Sequence, residues 1–438
     1  MADDGTDRRY DRSILEAHPA FALPEPPAGL EEKVRAAHWP DSLFDRVRAL
    51  RPNWGMIEAW VDTGFPTIEM IEQWVPQEEA ILDSTLAVRQ GGWDDNDLLV
   101  DLCRNSPERV GDWDVVVERG PHAFAQFRLQ ENSYVVLVED LRVGLGMVSR
   151  SLRNCYIGGD RTSVHFISGW RVRKGFRGLG ISKLLLEGAG PGHGFFGVSF
   201  YWYVRLDNQD RSWVEKVTSD MADRPEGWGV TTDRLTATVT HFREVQEGRR
   251  SERFRPAAEA DLERCCELIN RTHHGLDLFR PYTEEFLAGR LDDPNWGPRP
   301  SFIDPVYGWD DFGVVERDGV IVACGGLWDR GRDLRERWSN RATGDEFVIE
   351  STAMMDFGHA EGCEADLAEL IGHFLGTTDD RGRSTMMVPL EFLPAVAGAC
   401  SGYLSTPETR ELHTMPFVSP ELTVEATISR PYTDLAYW

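Results

Sequence analysis

The feature that most constrains the fold of this 438-residue chain is a pattern that occurs twice. Alternating apolar and polar residues indicate a β-hairpin near Glu139 and another near Glu316, 177 positions later. A loop followed by a helical pattern occurs near Arg177 and again near His359, 182 positions later. Two nearly equal offsets predict an internal duplication. One hydrophobic core rarely holds a chain of this length, so we also expect at least two domains.

The repeat divides the chain into three regions. Residues 1–90 are expected to form an N-terminal helical extension, because apolar residues recur at helical spacing between Leu30 and Leu86. Residues 91–246 and 252–438 form two domains, separated by the strongly polar run Glu247–Arg253. In each domain hairpin strands precede a strand–loop–helix unit. This order predicts an α/β (α+β) fold, with a mixed and mostly antiparallel sheet flanked by helices.

Individual elements follow from the local patterns. In the first domain we expect strands at Asp112–Arg119, Gln126–Gln130, Tyr134–Glu139, Gly144–Ser149, Val164–Val172 and Gly197–Arg205, with helices at Leu179–Glu187 and from about Asn208. In the second domain we expect helices at Asp261–Asn270 and Asp366–Leu375, a hairpin of Gly313–Glu316 and Val320–Cys324 closed by Asp318-Gly319, and a strand at Phe347–Met355.

The formal net charge of −26 disfavours nucleic acid and anionic membranes as partners. An acidic surface could attract a cationic substrate such as a polyamine or an amino sugar, or it could simply keep the protein soluble. No run approaches the roughly 20 apolar residues of a membrane span, and residues 1–28 contain no apolar stretch of signal length. Seven scattered cysteines do not form a disulfide framework, which favours the reducing cytoplasm.

Positive charge is concentrated in one part of the chain. Of the four lysines, three lie between Lys174 and Lys216. From Asp160 to Lys216 there are nine Lys or Arg residues against five Asp or Glu. A cationic stretch in an acidic protein suggests a bound polyanion, although three lysines can also cluster by chance.

The segment Trp170–Leu186 carries the most specific chemistry. A strand pattern ends, glycines follow, and an apolar helix begins at once. The first turn of a helix has N–H groups without an intrahelical partner, and the helix dipole adds partial positive charge there. Gly178 and Gly180 allow a diphosphate to approach the backbone, and Arg177 can add a charge-assisted contact. A Rossmann turn is disfavoured, because its glycines have a different spacing.

This segment resembles the phosphate loop of the GNAT superfamily of N-acetyltransferases, Arg/Gln-x-x-Gly-x-Gly/Ala. Arg177, Gly180 and Ser182 occupy the three defined positions, and Lys174 replaces a frequent proline. The strand Val198–Arg205 and the following Asn208 resemble the fifth strand of the family and the asparagine that faces its cofactor. The resemblance covers about residues 90–245. It implies acetyl-CoA as co-substrate, no metal, and the following cofactor-binding residues: Trp170, Arg171, Val172, Arg177, Gly178, Leu179, Gly180, Ile181, Ser182, Lys183 and Asn208.

The second domain looks like a degenerate copy of the first. The stretch aligned with the phosphate loop runs from His359 to Glu364, and Glu361 and Glu364 stand where the family has glycine or small residues. Carboxylates at contact distance repel a diphosphate. We therefore expect that this copy does not bind coenzyme A, and that it packs on the first domain and shapes the acceptor pocket.

The resemblance implies direct attack of an amine on a thioester, which needs a group that removes a proton from the amine. Many members of the family place a glutamate on the fourth strand as the base and a tyrosine after the asparagine as the acid. These positions fall near Ser168 and on Glu215. We therefore name His165, on the same strand, as candidate base and Glu215 as candidate acid. A structural histidine and a solvated glutamate remain the alternatives.

Three functions remain open from the sequence. The first is a coenzyme A-dependent N-acyltransferase that acts on a small-molecule amine. The second is an aminoacyl transferase that uses charged tRNA, which the phosphate loop and the acidic charge disfavour. The third is a non-catalytic acyl-CoA-binding regulator or partner subunit. A metal site at Cys265-Cys266 and His273-His274 is disfavoured, since adjacent cysteines on a helix face different directions.

Overall fold

The computed structural model describes residues 26–49, 54–64, 66–82, 86–120, 122–130, 132–140, 142–188, 199–205, 233–243, 250–292, 306–415, 430–433 and 435. These residues divide by their contacts into two compact units. The first unit contains the described residues of Met1–Gln90, Val136–Met147 and Val172–Gly188, and the second contains those of Gly91–Val135, Val148–Arg171 and Ala189–Trp438. This division does not follow the expected domain bounds, which stay a prediction.

The first unit contains the N-terminal helices α1 (Leu30–Ala36), α2 (Asp41–Ala49), α3 (Trp54–Thr63) and α4 (Ile68–Leu82). Their apolar residues form a core of their own, which includes Val34, Val47, Ile57 and Val75. The helices expected between Leu30 and Leu86 are therefore confirmed. Strand β1 (Ala87–Gln90) in this unit pairs antiparallel with Val136–Glu139, and the Arg89 guanidinium binds the Glu139 carboxylate with two hydrogen bonds.

The other strands and helices follow in chain order. They are α5 (Asn96–Arg104), β2 (Glu108–Val110), β3 (Trp113–Arg119), α6 (Ala125–Arg128), β4 (Ser133–Asp140), β5 (Val143–Ile157), β6 (Asp160–Val172), α7 (Ile181–Gly188), β7 (Ser199–Arg205), β8 (Asp233–Arg243), β9 (Phe254–Pro256), α8 (Leu262–Thr272), α9 (Glu284–Leu291), β10 (Phe312–Arg317), β11 (Val320–Trp328), α10 (Arg330–Asp333), β12 (Leu334–Asn340), β13 (Glu346–Ile349), β14 (Ser351–His359), α11 (Glu364–Asp380), β15 (Thr385–Val388), α12 (Pro394–Ala399) and β16 (Ser405–Met415).

Two sheets contain these strands. The larger has the order β1-β4-β5-β6-β7-β16-β8-β15-β14-β11-β10-β9, and the smaller has the order β13-β12-β3-β2. Most neighbours are antiparallel, but β6 pairs parallel with β7, and β14 pairs parallel with β15. Each expected domain thus contains one parallel strand pair with a helical segment between its strands, as a duplication would produce.

The central strands of the larger sheet are exchanged between the two expected domains. Strand β8, from the first expected domain, pairs with β15 of the second, and β16 of the second pairs with β7 of the first. β8 and β16 also pair with each other. One hydrophobic core joins Val164 and Phe166 of β6 to Leu268 and Ile269 of α8.

Close approach of helix α8 to strand β14 depends on Gly358. A Cβ atom at this position would lie 2.4 Å from the carbonyl carbon of Leu268. Any larger residue would push the helix away from the sheet. This glycine therefore sets how closely helix α8 packs on strand β14.

Two expected elements are wrong. Gln126–Gln130 was expected as a strand, but Ala125–Arg128 forms helix α6, in which Gln126 is buried and accepts a hydrogen bond from Arg119 at 2.8 Å. An alternating pattern of five residues fits a short buried helix as well as a strand. Phe347–Met355 was expected as one strand, but it is divided between β13 and β14, which lie in different sheets. The break is at Glu350, whose carboxylate binds Arg383 at 2.8 Å.

In the described part of the chain, no helix is long and apolar enough to cross a membrane. The same residues contain no group of three or more His, Cys, Asp or Glu side chains that could hold a metal ion.

Candidate functional site

The turn at residues 173–180, between β6 and α7, is anchored by two buried side chains. Arg173 is 2% exposed; its backbone N–H donates to the Leu145 carbonyl at 2.9 Å, and its Nε donates to the Gly144 carbonyl at 2.8 Å. The N–H of Phe176, a fully buried residue, donates to the Arg173 carbonyl at 3.0 Å. The base of the turn is therefore held in place before any ligand arrives.

The outer side of the turn is exposed at Arg177, Gly178 and Gly180. Both glycines have φ of 81°, a left-handed conformation that favours glycine, and a Cβ at either position would meet no atom within 4 Å. Leu179 and Ile181 alternate with them and are buried. The space above the glycine backbone is therefore open to a ligand.

Helix α7 presents its free amide groups at this turn. The Leu184 N–H donates to the Gly180 carbonyl at 3.1 Å, so the amides of the three preceding residues have no acceptor one turn back. The Arg177 side chain is exposed and its Nε lies 3.4 Å from the Val172 carbonyl. From Arg173 to Ile181 the sequence contains three cationic residues and no acidic one. The partial positive charge at the start of the helix and the positive charge of the side chains thus both favour an anion here.

The other residues expected to bind the cofactor have different environments. Arg171 forms an ion pair with Glu108 at 2.5 Å, so its guanidinium already has an anionic partner. Val172 is buried at the end of β6, and Ser182 is half-buried in the first turn of α7. Trp170 is half-buried on β6. Asn208, Glu215 and the side chain of Lys183 lie outside what the structure describes.

The described pairing of the parallel strands β6 and β7 involves three residues of each strand. Their pairing covers Val164–Phe166 and Ser199–Tyr201, whereas the strands continue to Val172 and Arg205. In α/β sheets, ligands bind in crevices outside the carboxyl ends of parallel strands.

His165 is buried in strand β6, with 6% of its surface exposed. Arg150 Nε donates to His165 Nδ1 at 3.2 Å, and Arg150 Nη1 donates to the Tyr134 hydroxyl at 3.0 Å. Burial, together with the nearby Arg150 charge, lowers the pKa of His165 to about 3. Such an imidazole is neutral at physiological pH and takes up a proton poorly, so this environment suits a structural histidine.

The corresponding turn of the second expected domain, between β14 and α11, has acidic residues on it and next to it. Four residues, 360–363, separate β14 from α11, whereas eight separate β6 from α7. Glu361 is exposed on this turn. The Asp366 carboxylate in the first turn of α11 is completely buried and binds Arg253 at 2.8 Å and Arg317. This helix start is neutralised by the protein itself.

Sequence reasoning missed one group of polar residues on β8 and β16. His241 Nε2 lies 2.7 Å from Glu408 Oε2, and Arg410 Nε donates to Glu408 Oε1 at 2.8 Å. The histidine and the glutamate are 167 positions apart, and no local motif surrounds either. Only the strand pairing brings them together.

Neither a protein-family model nor a curated protein matches this sequence. Among solved structures, Saccharomyces cerevisiae N-myristoyltransferase with bound myristoyl-CoA and inhibitors has a TM-score of 0.51 at 11% identity. The match covers 79% of this chain and 84% of that one. The chain therefore shares the overall fold of that structure. At such low identity the likeness concerns the fold alone, and it confirms the expected mixed α/β fold class.

Two further structures are similar at lower scores. A structure of the same yeast enzyme with bound myristoyl-CoA has a TM-score of 0.47 at 12% identity, covering 77% of this chain and 80% of that one. A GCN5-related glucosamine N-acetyltransferase region of a fungal multi-domain GH3 beta-N-acetylglucosaminidase has a TM-score of 0.45 at 14% identity, covering 75% and 38%. Scores below 0.5 support no argument about this chain.

Proposed function

We propose that this chain is an acyl-CoA-dependent N-acyltransferase that transfers an acetyl or longer acyl group to the amine of a small molecule. The observation that carries the proposal is the turn at residues 173–180. The buried residues Arg173 and Phe176 hold its base, and its outer side is exposed at Gly178 and Gly180. The turn is also cationic and leads directly into helix α7. These are the properties that a diphosphate-binding turn needs. The N-myristoyltransferase fold is consistent with this proposal.

In the proposed reaction the amides of Ile181, Ser182 and Lys183 and the Arg177 guanidinium hold the diphosphate of the acyl-CoA. Val172, directly before the turn, is expected to lie beside the pantetheine arm. The amine attacks the thioester carbonyl directly, and coenzyme A leaves as a thiol. Glu215 stays a candidate acid. The buried environment of His165 makes it a weak candidate base.

Two observations support the expected cytoplasmic location and the expected amine acceptor. All seven cysteines are buried and none of them is paired in a disulfide, as in a protein of a reducing compartment such as the cytoplasm. The acidic composition supports an amine acceptor rather than a nucleic acid. A non-catalytic acyl-CoA-binding protein is the second candidate, and the low pKa of His165 favours it, because a catalytic base has then not been found on β6.

Calorimetry with acetyl-CoA and with myristoyl-CoA tests the proposal and also compares the acyl chains. Loss of a charge-assisted contact in Arg177→Ala should weaken binding about 10-fold. Arg104→Ala, which removes an exposed arginine from α5, is the matched control and should bind as the wild type does. Equal affinity of Arg177→Ala and wild type would contradict the site. Thiol release with a panel of amines then separates an enzyme from a binding protein.

A further inference from the structure

Strand β13 forms one edge of the smaller sheet, within the second unit, and it is exposed to solvent. It pairs antiparallel with β12, and no other strand of the described chain pairs with it. Phe347 is 43% exposed and Val348 is 40% exposed, and both are large apolar residues. Glu346 is exposed as well. An edge of this kind presents backbone hydrogen-bonding groups that another strand can use.

The register between β12 and β13 decides which backbone groups face outward. The Asn340 N–H donates to the Asp345 carbonyl at 2.8 Å, so these two residues form a hydrogen-bonded pair. Such pairs recur at every second residue of an antiparallel ladder, and the next one joins Trp338 to Phe347. Glu346 and Val348 alternate with these positions. They therefore direct their N–H and C=O groups away from β12.

One face of the sheet carries an aromatic cluster beside this edge. The rings of Phe347 and Trp338 stack, with centroids 5.8 Å apart and planes 9° apart, and the centroid of Trp113 lies 5.1 Å from that of Phe347. Both tryptophans are half-buried. On an added strand, the residue opposite Phe347 would have its Cβ atom about 5 Å from the Phe347 Cβ. An apolar side chain at that position would extend the cluster.

The edge is also acidic. Asp345 and Glu346 are exposed, and their carboxylates accept hydrogen bonds from the hydroxyl groups of Thr343 and Ser339, at 2.6 and 3.1 Å. A hydroxyl partner leaves the negative charge of a carboxylate in place. Opposite charges on directly facing residues of neighbouring strands attract each other. A strand added here is therefore favoured when it carries lysine or arginine opposite these two residues.

A second copy of the chain fits this edge less well. Each copy has a net charge of −26, which opposes association. In an antiparallel pair of two β13 strands, pairing Val348 with Val348 would place Glu346 opposite Glu350. Pairing Glu346 with Glu346 would bring two like charges face to face. The charge of the edge thus favours a cationic partner over a second copy.

We propose that β13 is a docking site for an extended, cationic peptide segment of a partner protein, which adds an antiparallel strand to the smaller sheet. Backbone hydrogen bonds to Glu346 and Val348 provide the affinity, and the side chains provide the specificity. The segment carries apolar residues opposite Val348 and Phe347, followed by lysine or arginine opposite Glu346 and Asp345. This interaction is separate from the proposed acyl transfer.

Fluorescence anisotropy with a labelled peptide of this pattern tests the proposal on the full chain. The probe is fluorescein-Lys-Thr-Val-Val-Lys-Lys-amide, whose two valines are designed to lie opposite Val348 and Phe347. We expect it to bind at least about 10-fold more tightly than two control peptides. One control has glutamate in place of every lysine, and the other has the same residues in the order Lys-Val-Lys-Thr-Lys-Val. Added salt should weaken binding of the probe.

Variants of the edge then test the backbone contacts and the charge separately. Val348→Pro removes an outward N–H but no hydrogen bond to β12, so affinity for the probe should fall about 10-fold. Val348→Ala keeps the N–H and should stay within about 3-fold of wild type. Glu346→Lys should reverse the preference, so that the glutamate peptide binds more tightly than the lysine probe. Leu404→Ala, which removes another exposed apolar side chain of the same unit, should match wild type.

Three results would overturn the proposal. They are absence of probe binding to wild type, equal binding of the probe and the reordered peptide, and unchanged binding in both Val348→Pro and Glu346→Lys. Melting temperatures show whether each variant is folded, and Glu346→Lys decides the matter if Val348→Pro does not fold. Sedimentation velocity examines the other occupant. A wild-type dimer that Val348→Pro converts to a monomer would assign this edge to a second copy and contradict the peptide site.

Discussion

The turns before helices α7 and α11 each follow the first strand of a parallel strand pair, but they differ in the charges placed at the start of the helix. At residues 173–180 the turn is long, rich in glycine and cationic, and it leaves the helix start open to solvent. At residues 360–363 it is half as long, and Asp366 fills the corresponding charge position from inside the protein. A helix start that is stabilised by a carboxylate of the same chain, as α11 is by Asp366, gains little from binding an external anion.

The largest effect, on the free energy of unfolding, is expected from removing the Asp366 carboxylate at the start of α11. Asp366→Ala leaves Arg253 and Arg317 without their buried partner and removes a favourable charge from the start of α11. We expect the free energy of unfolding to fall by about 3 kcal/mol. Urea denaturation measures this, with the exposed Asp379→Ala at the other end of α11 as the control. A loss equal to that of the control would show that the carboxylate does not stabilise this helix start.

A carboxylate introduced into the first turn of α7 should change acetyl-CoA binding rather than stability. Ser182→Glu puts a carboxylate in the first turn of α7, which favours the helix but repels a diphosphate. We expect acetyl-CoA affinity to fall about 100-fold while the melting temperature stays the same or rises. Ser182→Ala controls for loss of the hydroxyl. If the glutamate variant bound as tightly as the alanine variant, the open turn would not be the diphosphate site.

The parallel strand pairs of the two copies also differ in a buried polar residue. β6 buries His165, whereas β14 buries Thr352, which shares a hydrogen bond of 2.6 Å with Thr378. Because the pKa of His165 is lowered from 6.5 to about 3, the unfolded chain binds more protons than the native one between these values. Stability from this group is complete above pH 6.5 and is lost as pH falls, by about 2 kcal/mol at pH 5.

His165→Gln should therefore be less sensitive to acid than wild type between pH 7 and pH 5. Denaturant midpoints across this range measure the difference. His274→Gln, which alters an exposed histidine, should keep the wild-type slope. Parallel curves for His165→Gln and wild type would show that the buried ring does not resist protonation.

The smallest effect is expected from removing the exposed charge of the second turn. Glu361→Gln takes away a solvated carboxylate, but the turn stays four residues short and Asp366 stays in place. We expect no acetyl-CoA binding to appear, and a stability change below about 0.5 kcal/mol. A variant that combines Glu361→Gln with Arg177→Ala isolates the second turn in calorimetry. Any binding by that double variant beyond that of Arg177→Ala would make the two turns more alike than we propose.

Local patterns predicted much of the fold. The hairpin of β10 and β11 was expected because Asp318-Gly319 favours a tight turn, and both residues do have positive φ, at 53° and 77°. The start of α7 was expected within two residues, since glycines and an apolar run are local signals. Where the pattern was short, as at Gln126–Gln130, helix and strand fitted equally well, and burial decided for the helix.

The sequence by itself determined the backbone conformation and the charge of the turn. The positive φ of Gly178 and Gly180 and the positive charge of Arg177 depend on residues within a few positions of one another. Only the tertiary structure decided that β8 and β16 are exchanged and that His241 meets Glu408. Strand pairing joins residues far apart in the chain through backbone groups that all residues share, so no local signal specifies the partner.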